Sequence, residues 1–347
     1  MDLTKCKLGE LITQRREKND GSELPICGVS KDGLIPPKQV DADTSIYNVF
    51  YRDDFIFNPA RMELNSIAIN DKYDRAICSS LYEVFYVHRT DLLLPHYLKL
   101  IVKQKWFTRY CEFLGQGSAR EYCRFNNISE IEIEFPSIEE QQKIVDYYTA
   151  IQKRIEVKKQ INDNLEATAY AIYKETFITS GSDKWDKGTL SDLLTVKYGK
   201  DHKHLLDGSI PLYGSGGIMR YVEKSLYSKV SVLIPRKGTL SNVMYVDEPF
   251  WSVDTMFYTE IHKPFAAKFI YYFVKSKDLA GMDTGSAVPS MSSEIIHSMQ
   301  LDIPDDETLI TFDNQLTPLY KQMKMNNQEC AELQKLQEAL LATISSR

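Results

Sequence analysis

The hydrophobic pattern divides the chain into two kinds of segment. Apolar residues recur at steps of three and four from Ile144 through Tyr148, Ile151 and Ile155; after polar Lys158 and Asn162 the seam resumes at Leu165, Ala169 and Ile172. That spacing lines one face of an α-helix. No Gly or Pro between residues 139 and 178 interrupts it. A second seam runs Phe312, Leu316, Leu319, Met323, polar Asn326, Cys330, Leu333, Leu340 and Ile344. Both seams break at the equivalent step, Lys158 and Asn326, and a polar residue in an apolar seam fixes register and partner. The pattern therefore predicts that the two helices pair, the alternative being that each lies on its own domain. Pro318 sits inside the second helix and predicts a late start or a kink there.

The remaining segments read as mixed α/β (α+β). Strand-like runs at Ala76 to Val87, Val230 to Ile234 and Val243 to Val246 alternate with turn signals at Asp32-Gly33, Asp207-Gly208 and Gly214-Ser-Gly-Gly217. Short helical patterns fall at Pro95 to Phe107 and Pro264 to Lys275. These regions are a repeat. Gly117-Ser-Ala119 returns as Gly285-Ser-Ala287, Pro136 as Pro304 and Glu139 as Glu307, all at an offset of 168. Upstream the offset drifts: Leu8-Gly-Glu-Leu-Ile12 resembles Leu190-Ser-Asp-Leu-Leu194, Leu24-Pro-Ile26 resembles Ile210-Pro-Leu212, and Phe55 to Arg61 loosely resembles Val232 to Gly238. Each half has a variable front and a regular helical back. With the polar stretch 180–183 as linker, the boundaries expected are a front at 1–137, a helix at 138–179, a front at 180–303 and a helix at 304–347.

Composition narrows the class. With 347 residues, 43% of them hydrophobic, the chain carries enough apolar surface for more than one core. No apolar run has the length of a membrane span or a signal peptide, which points to a cytoplasmic protein. The six cysteines show no metal-ligand spacing and read as buried thiols. Net charge is −6, but residues 184–240 hold ten basic and five acidic residues whereas 241–347 hold eight and fifteen. An acidic chain can thus offer one basic surface. The front at 1–137, with eighteen basic and twenty acidic residues, does not advertise one.

Catalytic motifs are missing. The glycine-rich Tyr213 to Ile218 lacks the Gly-Lys-Ser/Thr of a phosphate loop. Asn58-Pro-Ala-Arg61 lacks the second proline and the aromatic of an amino-methyltransferase element. Glu156-Val-Lys158 belongs to the helical pattern, and His202-Lys-His204 reads as a pair of surface loop histidines. No activated nucleophile is visible. The chain is expected not to be an enzyme.

The order front, helix, front, helix resembles the specificity subunit (HsdS) of Type I restriction-modification systems over essentially the whole length. The resemblance rests on Phe135-Pro-Ser-Ile-Glu-Glu-Gln-Gln-Lys-Ile144, on its degenerate copy Ile303-Pro-Asp-Asp-Glu-Thr-Leu309, which lacks Gln-Gln, and on Leu233-Ile-Pro-Arg-Lys-Gly-Thr239 with Gly285-Ser-Ala287. It implies a non-catalytic reader of double-stranded DNA. Each front would be a target-recognition domain for one half of a bipartite, asymmetric site. The helices would pair as an antiparallel coiled coil with pseudo-twofold symmetry, acting as spacer and as dock for two methyltransferase subunits, with restriction and motor subunits joining the full complex. It implies no cofactor for this subunit, since the methyl donor and ATP belong to the partners. Base edges are read by Arg, Lys, Asn, Gln, Ser and Thr on loops. The candidates are Arg61, Asn65, Gln116, Ser118 and Arg120 in the first front, and Tyr213, Ser215, Arg236, Lys237, Ser286 and Ser290 in the second. Arg61 and Arg236 stand at similar places, each after an apolar strand. The rival class is a non-DNA scaffold that holds other proteins by its coiled coil.

Overall fold

The computed structural model describes residues 3–41, 43–115, 122–179, 185–282 and 290–345. The chain forms two compact units, Met1–Val157 with Glu329–Arg347, and Lys158–Gln328. Each therefore contains a front and a segment of both long helices.

In the first unit the strands are β1 (Thr4–Lys7), β2 (Ile12–Arg15), β3 (Ile26–Ser30), β4 (Gly33–Ile35), β5 (Asn48–Tyr51), β6 (Phe55–Phe57), β7 (Ile67–Ile69), β8 (Arg75–Cys78), β9 (Glu83–Val87) and β10 (Glu132–Phe135). They make a pair β1-β10 and two four-stranded sheets, β2-β9-β6-β7 and β4-β3-β8-β5. The helices are α1 (Pro95–Val102), α2 (Lys105–Gly115) and α3 (Phe125–Ser129), followed by α4 (Ile138–Lys174). Strand β6 shows why the run Phe55-Ile-Phe57 is apolar throughout. Phe55 and Phe57 enter one core, with Leu98 and Ile101 of α1. Ile56 enters another, with Cys27, Phe50 and Cys78. A strand buried on both faces has no polar side to alternate with.

The second unit repeats this plan. Its strands are β11 (Asp186–Thr189), β12 (Leu194–Tyr198), β13 (Asp207–Gly214), β14 (Gly217–Val222), β15 (Ser231–Pro235), β16 (Met244–Val246), β17 (Trp251–Ser252), β18 (Met256–Ile261) and β19 (Gln300–Ile303); its helices are α5 (Ala267–Lys275), α6 (Ser293–His297) and α7 (Asp306–Ser345). The pair β11-β19 and the sheet β12-β18-β15-β16 match β1-β10 and β2-β9-β6-β7 in order. The sheet β14-β13-β17 matches β4-β3-β8, including one parallel pairing in each. The starts of α3 and α6, of β10 and β19, and of α4 and α7 each stand 168 residues apart, so the sequence offset is a structural one. The helical patterns from Pro95 and Pro264 correspond to α1 with α2 and to α5.

Three sequence expectations need correction. Helix α7 starts at Asp306 and runs through Pro318, so the proline, despite its missing N–H, neither delays nor ends it. Asp207-Gly208 opens strand β13 beside a register shift; a Cβ on Gly208 would lie 2.4 Å from the Val222 carbonyl oxygen, so glycine serves close strand approach there, not a turn. Ala76 to Val87 divides into β8 and β9, with a turn closed by Tyr82 N–H donating to the Ser79 carbonyl. The proposed linker at 180–183 and the repeated Gly-Ser-Ala triplets lie outside the described residues.

Both helices are packed as their seams require. In the first unit Ile144, Val145 and Tyr148 of α4 and Leu340, Leu341 and Ile344 of α7 join the front's core. Gln152 pairs with Gln337 at 3.0 Å, Arg154 with Glu329, and the Cys330 thiol with the Ile155 carbonyl at 3.9 Å. In the second unit Ala169, Tyr173 and Phe177 of the chain around the end of α4 meet Phe312 and Leu316 of α7 and Phe269 of α5, with ring centroids of Phe177 at 4.7 Å from Phe269 and 4.9 Å from Phe312. The α4 residue numbers rise as the α7 numbers fall, so within each unit the segments run antiparallel. Ile151, Leu165, Ile172, Leu319, Met323 and Leu333 are half-buried along them, and Ile155 is buried.

The junction motif has a physical reading. Gln141 is fully buried; its amide nitrogen donates to the Leu92 and Pro136 carbonyls at 2.8 Å, and its oxygen accepts from Leu94 N–H at 2.9 Å. The residue 168 positions on, Leu309, is 1% exposed and occupies an apolar core. One copy closes its junction with hydrogen bonds and the other with hydrocarbon, so the second needs no glutamine.

Candidate nucleic-acid interface

Three loops of the second unit converge at the end of β15. All five residues of β15 are buried, and the chain leaves it with Arg236 and Lys237 N–H both directed to the Thr255 carbonyl, at 2.9 and 3.2 Å. The Arg236 carbonyl accepts from Met291 N–H at 2.9 Å, and Lys237 forms a bridge with Ser290. Gly238 turns back at φ +87°; a Cβ there would lie 2.9 Å from Ser215 Oγ. Glycine is needed both for the left-handed backbone and for the approach of the β13–β14 hairpin tip. Asn242 Nδ2 closes the contact by donating to the Ser215 carbonyl at 2.8 Å. Ser215, Arg236, Lys237 and Ser290 are thereby brought together. Tyr213 stands beneath the tip: its carbonyl accepts from Val253 N–H at 3.0 Å and its ring faces Phe250 edge-on. Burial pushes its phenol up to about 12, so it stays a neutral donor at pH 7.

The cations of this unit differ in what holds them. Arg220 is tied to Asp207 at 2.9 Å and to two backbone carbonyls. Arg236 has no carboxylate among the described residues; its guanidinium lies 5.3 Å from the Tyr198 ring centroid and donates to the Asp254 carbonyl at 3.2 Å. Lys200, Lys203, Lys224, Lys229 and Lys237 are exposed and, among the described residues, form no ion pair. Among those residues no group of three His, Cys, Asp or Glu is placed to hold a metal ion; His204 faces Asp201 at 3.6 Å and Trp251 edge-on.

The first unit uses its arginines internally. Five of the eight described between residues 3 and 137 meet carboxylates: Arg15 with Asp54, Arg52 with Asp74, Arg75 with Glu17 and Asp20, Arg89 with Asp91, Arg124 with Glu83. Arg15 is the most enclosed, donating twice to Asp54 between the rings of Tyr51 and Tyr86. Burial raises the Asp54 carboxyl even so, against the pull of Arg15 and of Tyr51 N–H. Arg16 donates to Gln14. Arg61 and Arg109 remain, both exposed and without a carboxylate among the described residues. Arg61 lies at the kink within the short 3-10 segment Pro59–Leu64, where the backbone departs from helical geometry at φ −140°. Arg109 is on α2, which packs against that turn. Asn65 fastens the two. Its backbone is left-handed at φ 53°, its N–H caps the Arg61 and Met62 carbonyls, and its amide donates at 2.7 Å both to the Val102 carbonyl and to Thr108 Oγ1, beside Arg109. With those donors committed, Asn65 holds the loop together. Gln116, Ser118, Arg120 and Ser286 lie outside the described residues.

Sequence reasoning missed Arg109, Tyr198 and the role of Asn65. Asn is among the few non-glycine residues enriched at φ > 0, so Asn65 carried a faint signal. The ring under Arg236 carried none.

In the middle of the helices the polar steps meet. Within the second unit Lys158 Nζ donates to Asn326 Oδ1 at 3.1 Å, Asn326 Nδ2 to Asn162 Oδ1 at 2.8 Å, and Asn162 Nδ2 to Asn327 Oδ1 at 2.8 Å. Asn326 is 1% exposed, so these bonds satisfy groups that water cannot reach. No helix among the described residues is long and apolar enough to cross a membrane.

A family model for the Type I restriction modification DNA specificity domain matches residues 40–167 and again 182–335. The Type I restriction enzyme MjaIX specificity subunit of Methanocaldococcus jannaschii is 25% identical over 300 residues, 72% of this chain and 68% of that protein. The Type I restriction enzyme HindI specificity subunit of Haemophilus influenzae is 25% identical over 131 residues, 37% of this chain and 28% of that protein. The crystal structure of a Type I restriction-modification system S subunit from M. genitalium shares the fold, with a TM-score of 0.67 and 16% identity over 99% of this chain and 96% of that one.

Proposed function

The chain belongs to the Type I restriction modification DNA specificity family, whose domain it matches twice over most of its length, and from that premise we propose that it gives a Type I restriction-modification complex its DNA sequence specificity. Each unit reads one half of a bipartite, asymmetric site. The second does so through Ser215, Arg236, Lys237 and Ser290, with Tyr213 behind them; the first through Arg61 and Arg109, together with Gln116, Ser118 and Arg120. The fronts 1–137 and 180–303 are the readers. The helices 138–179 and 304–347 are the spacer, and the dock for two methyltransferase subunits, to which restriction and motor subunits add. Methyl transfer and cleavage belong to those partners, and this chain carries no cofactor.

The observation that carries the reading is the repeated plan itself. After the same buried strand, β6 or β15, each unit presents an exposed or half-exposed arginine that no carboxylate among the described residues neutralises, on loops that differ between the copies. A scaffold that only held proteins would need the helices but not two diverged loop sets on one framework. The test is filter binding of the chain assembled with its methyltransferase subunits. Retention of one bipartite sequence, falling steeply with salt as phosphate contacts release counterions, is the expected result. Binding that is absent or indifferent to salt overturns the proposal in favour of a protein scaffold.

A further inference from the structure

We propose that Tyr198 is a positioning residue that holds Arg236 for bidentate recognition of one guanine in the second unit's half-site; the inference rests on the functional reading above and names how that unit reads. Tyr198 closes strand β12, opposite Phe257 of β18, and packs edge-on against that ring at 5.0 Å. Its hydroxyl shares a 3.2 Å hydrogen bond with Ser293 Oγ at the start of α6. Strand, sheet and helix thus fix the ring, yet Tyr198 is 51% exposed. A half-exposed aromatic fixed on its edges offers a face, and that face is covered by the Arg236 guanidinium at 5.3 Å. The Asp254 carbonyl takes one N–H at 3.2 Å. A guanidinium has five donors in a planar fork, so the two contacts orient it without exhausting it. A free arginine loses rotamer freedom when it is ordered, and stacking supplies that order before DNA arrives. The result is an arginine with a set plane and no neutralising carboxylate among the described residues, the form that guanine O6 and N7 select.

The test selects bound sequences from a random DNA pool with the complete complex carrying wild-type chain, Arg236→Ala, Tyr198→Leu, Tyr198→Phe or the double variant Arg236→Ala/Tyr198→Leu. Tyr198→Leu keeps apolar packing on Phe257 but removes the π face, and thermal melting confirms that it folds. Arg236→Ala should flatten preference at one position of one half-site. Tyr198→Leu should weaken the same position by about two- to fivefold, the size of an exposed cation–π contact. Tyr198→Phe should retain most of the preference, and the double variant should be no worse than Arg236→Ala alone. Unchanged preference in Tyr198→Leu, loss at a different position, or additive losses overturn the inference. So does an Arg236→Ala loss spread evenly over all sequences. If the wild-type complex selects no bipartite sequence, the functional reading itself fails, an outcome separate from a failure of Tyr198.

Discussion

The two units share strand order and helix attachment but dispose of their arginines differently. The first spends arginine on structure: Arg15, Arg52, Arg75, Arg89 and Arg124 each find a carboxylate, which leaves Arg61 and Arg109 beside one another's elements. The second holds only two arginines among its described residues, ties one to Asp207, stacks the other on Tyr198, and leaves Lys200, Lys203, Lys224, Lys229 and Lys237 exposed with no ion pair among the described residues. A near-neutral front can therefore still leave individual arginines unneutralised, because most of its arginine charge is cancelled in place. Counting charges along a chain misses this, because pairing decides which cations a phosphate can meet.

The comparison is broken most directly at Arg15. Asp54 is 2% exposed and Arg15 is its partner. Arg15→Ala should lower stability by about 3 kcal/mol, near the lower end for stranding a buried charge because the arginine is itself partly exposed. Arg61→Ala and Arg236→Ala should stay within about 0.5 kcal/mol of wild type. Urea unfolding of the full chain measures all three. The penalty should shrink as pH falls. Without Arg15 the folded carboxyl is raised further above its unfolded value, so the variant gains relative stability below the carboxylate range and loses it as pH rises. Equal stability of the three variants would erase the distinction between structural and reading arginines.

How much of this was legible follows from where the causes lie in the chain. The repeat was, because helix starts and strand ends are set by local pattern, and α4, α7, β10 and β19 keep the offset of 168. The polar step of the helices was also, since Lys158 and Asn326 stand out within an apolar period and do meet. The division of the arginines was not. Arg15 and Asp54 are 39 residues apart and Arg124 and Glu83 are 41 apart, and nothing in the local spacing joins them. Nor could spacing tell that Asp207-Gly208 lies within a strand, since a glycine needed for close approach and one needed for a turn look alike. Gln141 fell between: its motif was conspicuous, its three buried hydrogen bonds were not.

That junction is the next point of contrast. Gln141→Leu copies the second unit's Leu309 into the first, and strands Leu94 N–H with two carbonyls. One buried unsatisfied donor alone costs about 1–3 kcal/mol, so urea unfolding should show at least that loss. If the variant is as stable as wild type, the two junctions are interchangeable and the glutamine is incidental. For reading, Arg236→Ala and Arg61→Ala should each weaken binding by about 1–3 kcal/mol in one half-site and leave the other untouched. Equilibrium binding of the complex to sites mutated in one half at a time checks it. Replacing residues 184–303 by another family member's front should change the same half as Arg236→Ala. Changes in both halves would mean that the units do not read separately.

The smallest effect is the most diagnostic within the second unit, where two arginines of the same type differ only in their partners. Arg220 is held by Asp207 and by the His202 and Leu205 carbonyls, and Asp207 is largely exposed. An exposed ion pair contributes about 0–1 kcal/mol, so Arg220→Ala should lower stability by no more than that. Its charge is already cancelled, so DNA binding should also change by less than 1 kcal/mol, and the slope of affinity against salt should not fall. Arg236→Ala should show the reverse pattern: little change in stability and a loss confined to one position. A salt titration of both variants against the same duplex separates them. If Arg220→Ala costs binding as much as Arg236→Ala does, ion pairing inside the protein does not mark which arginines are withheld from DNA, and the contrast between the two units loses its physical basis.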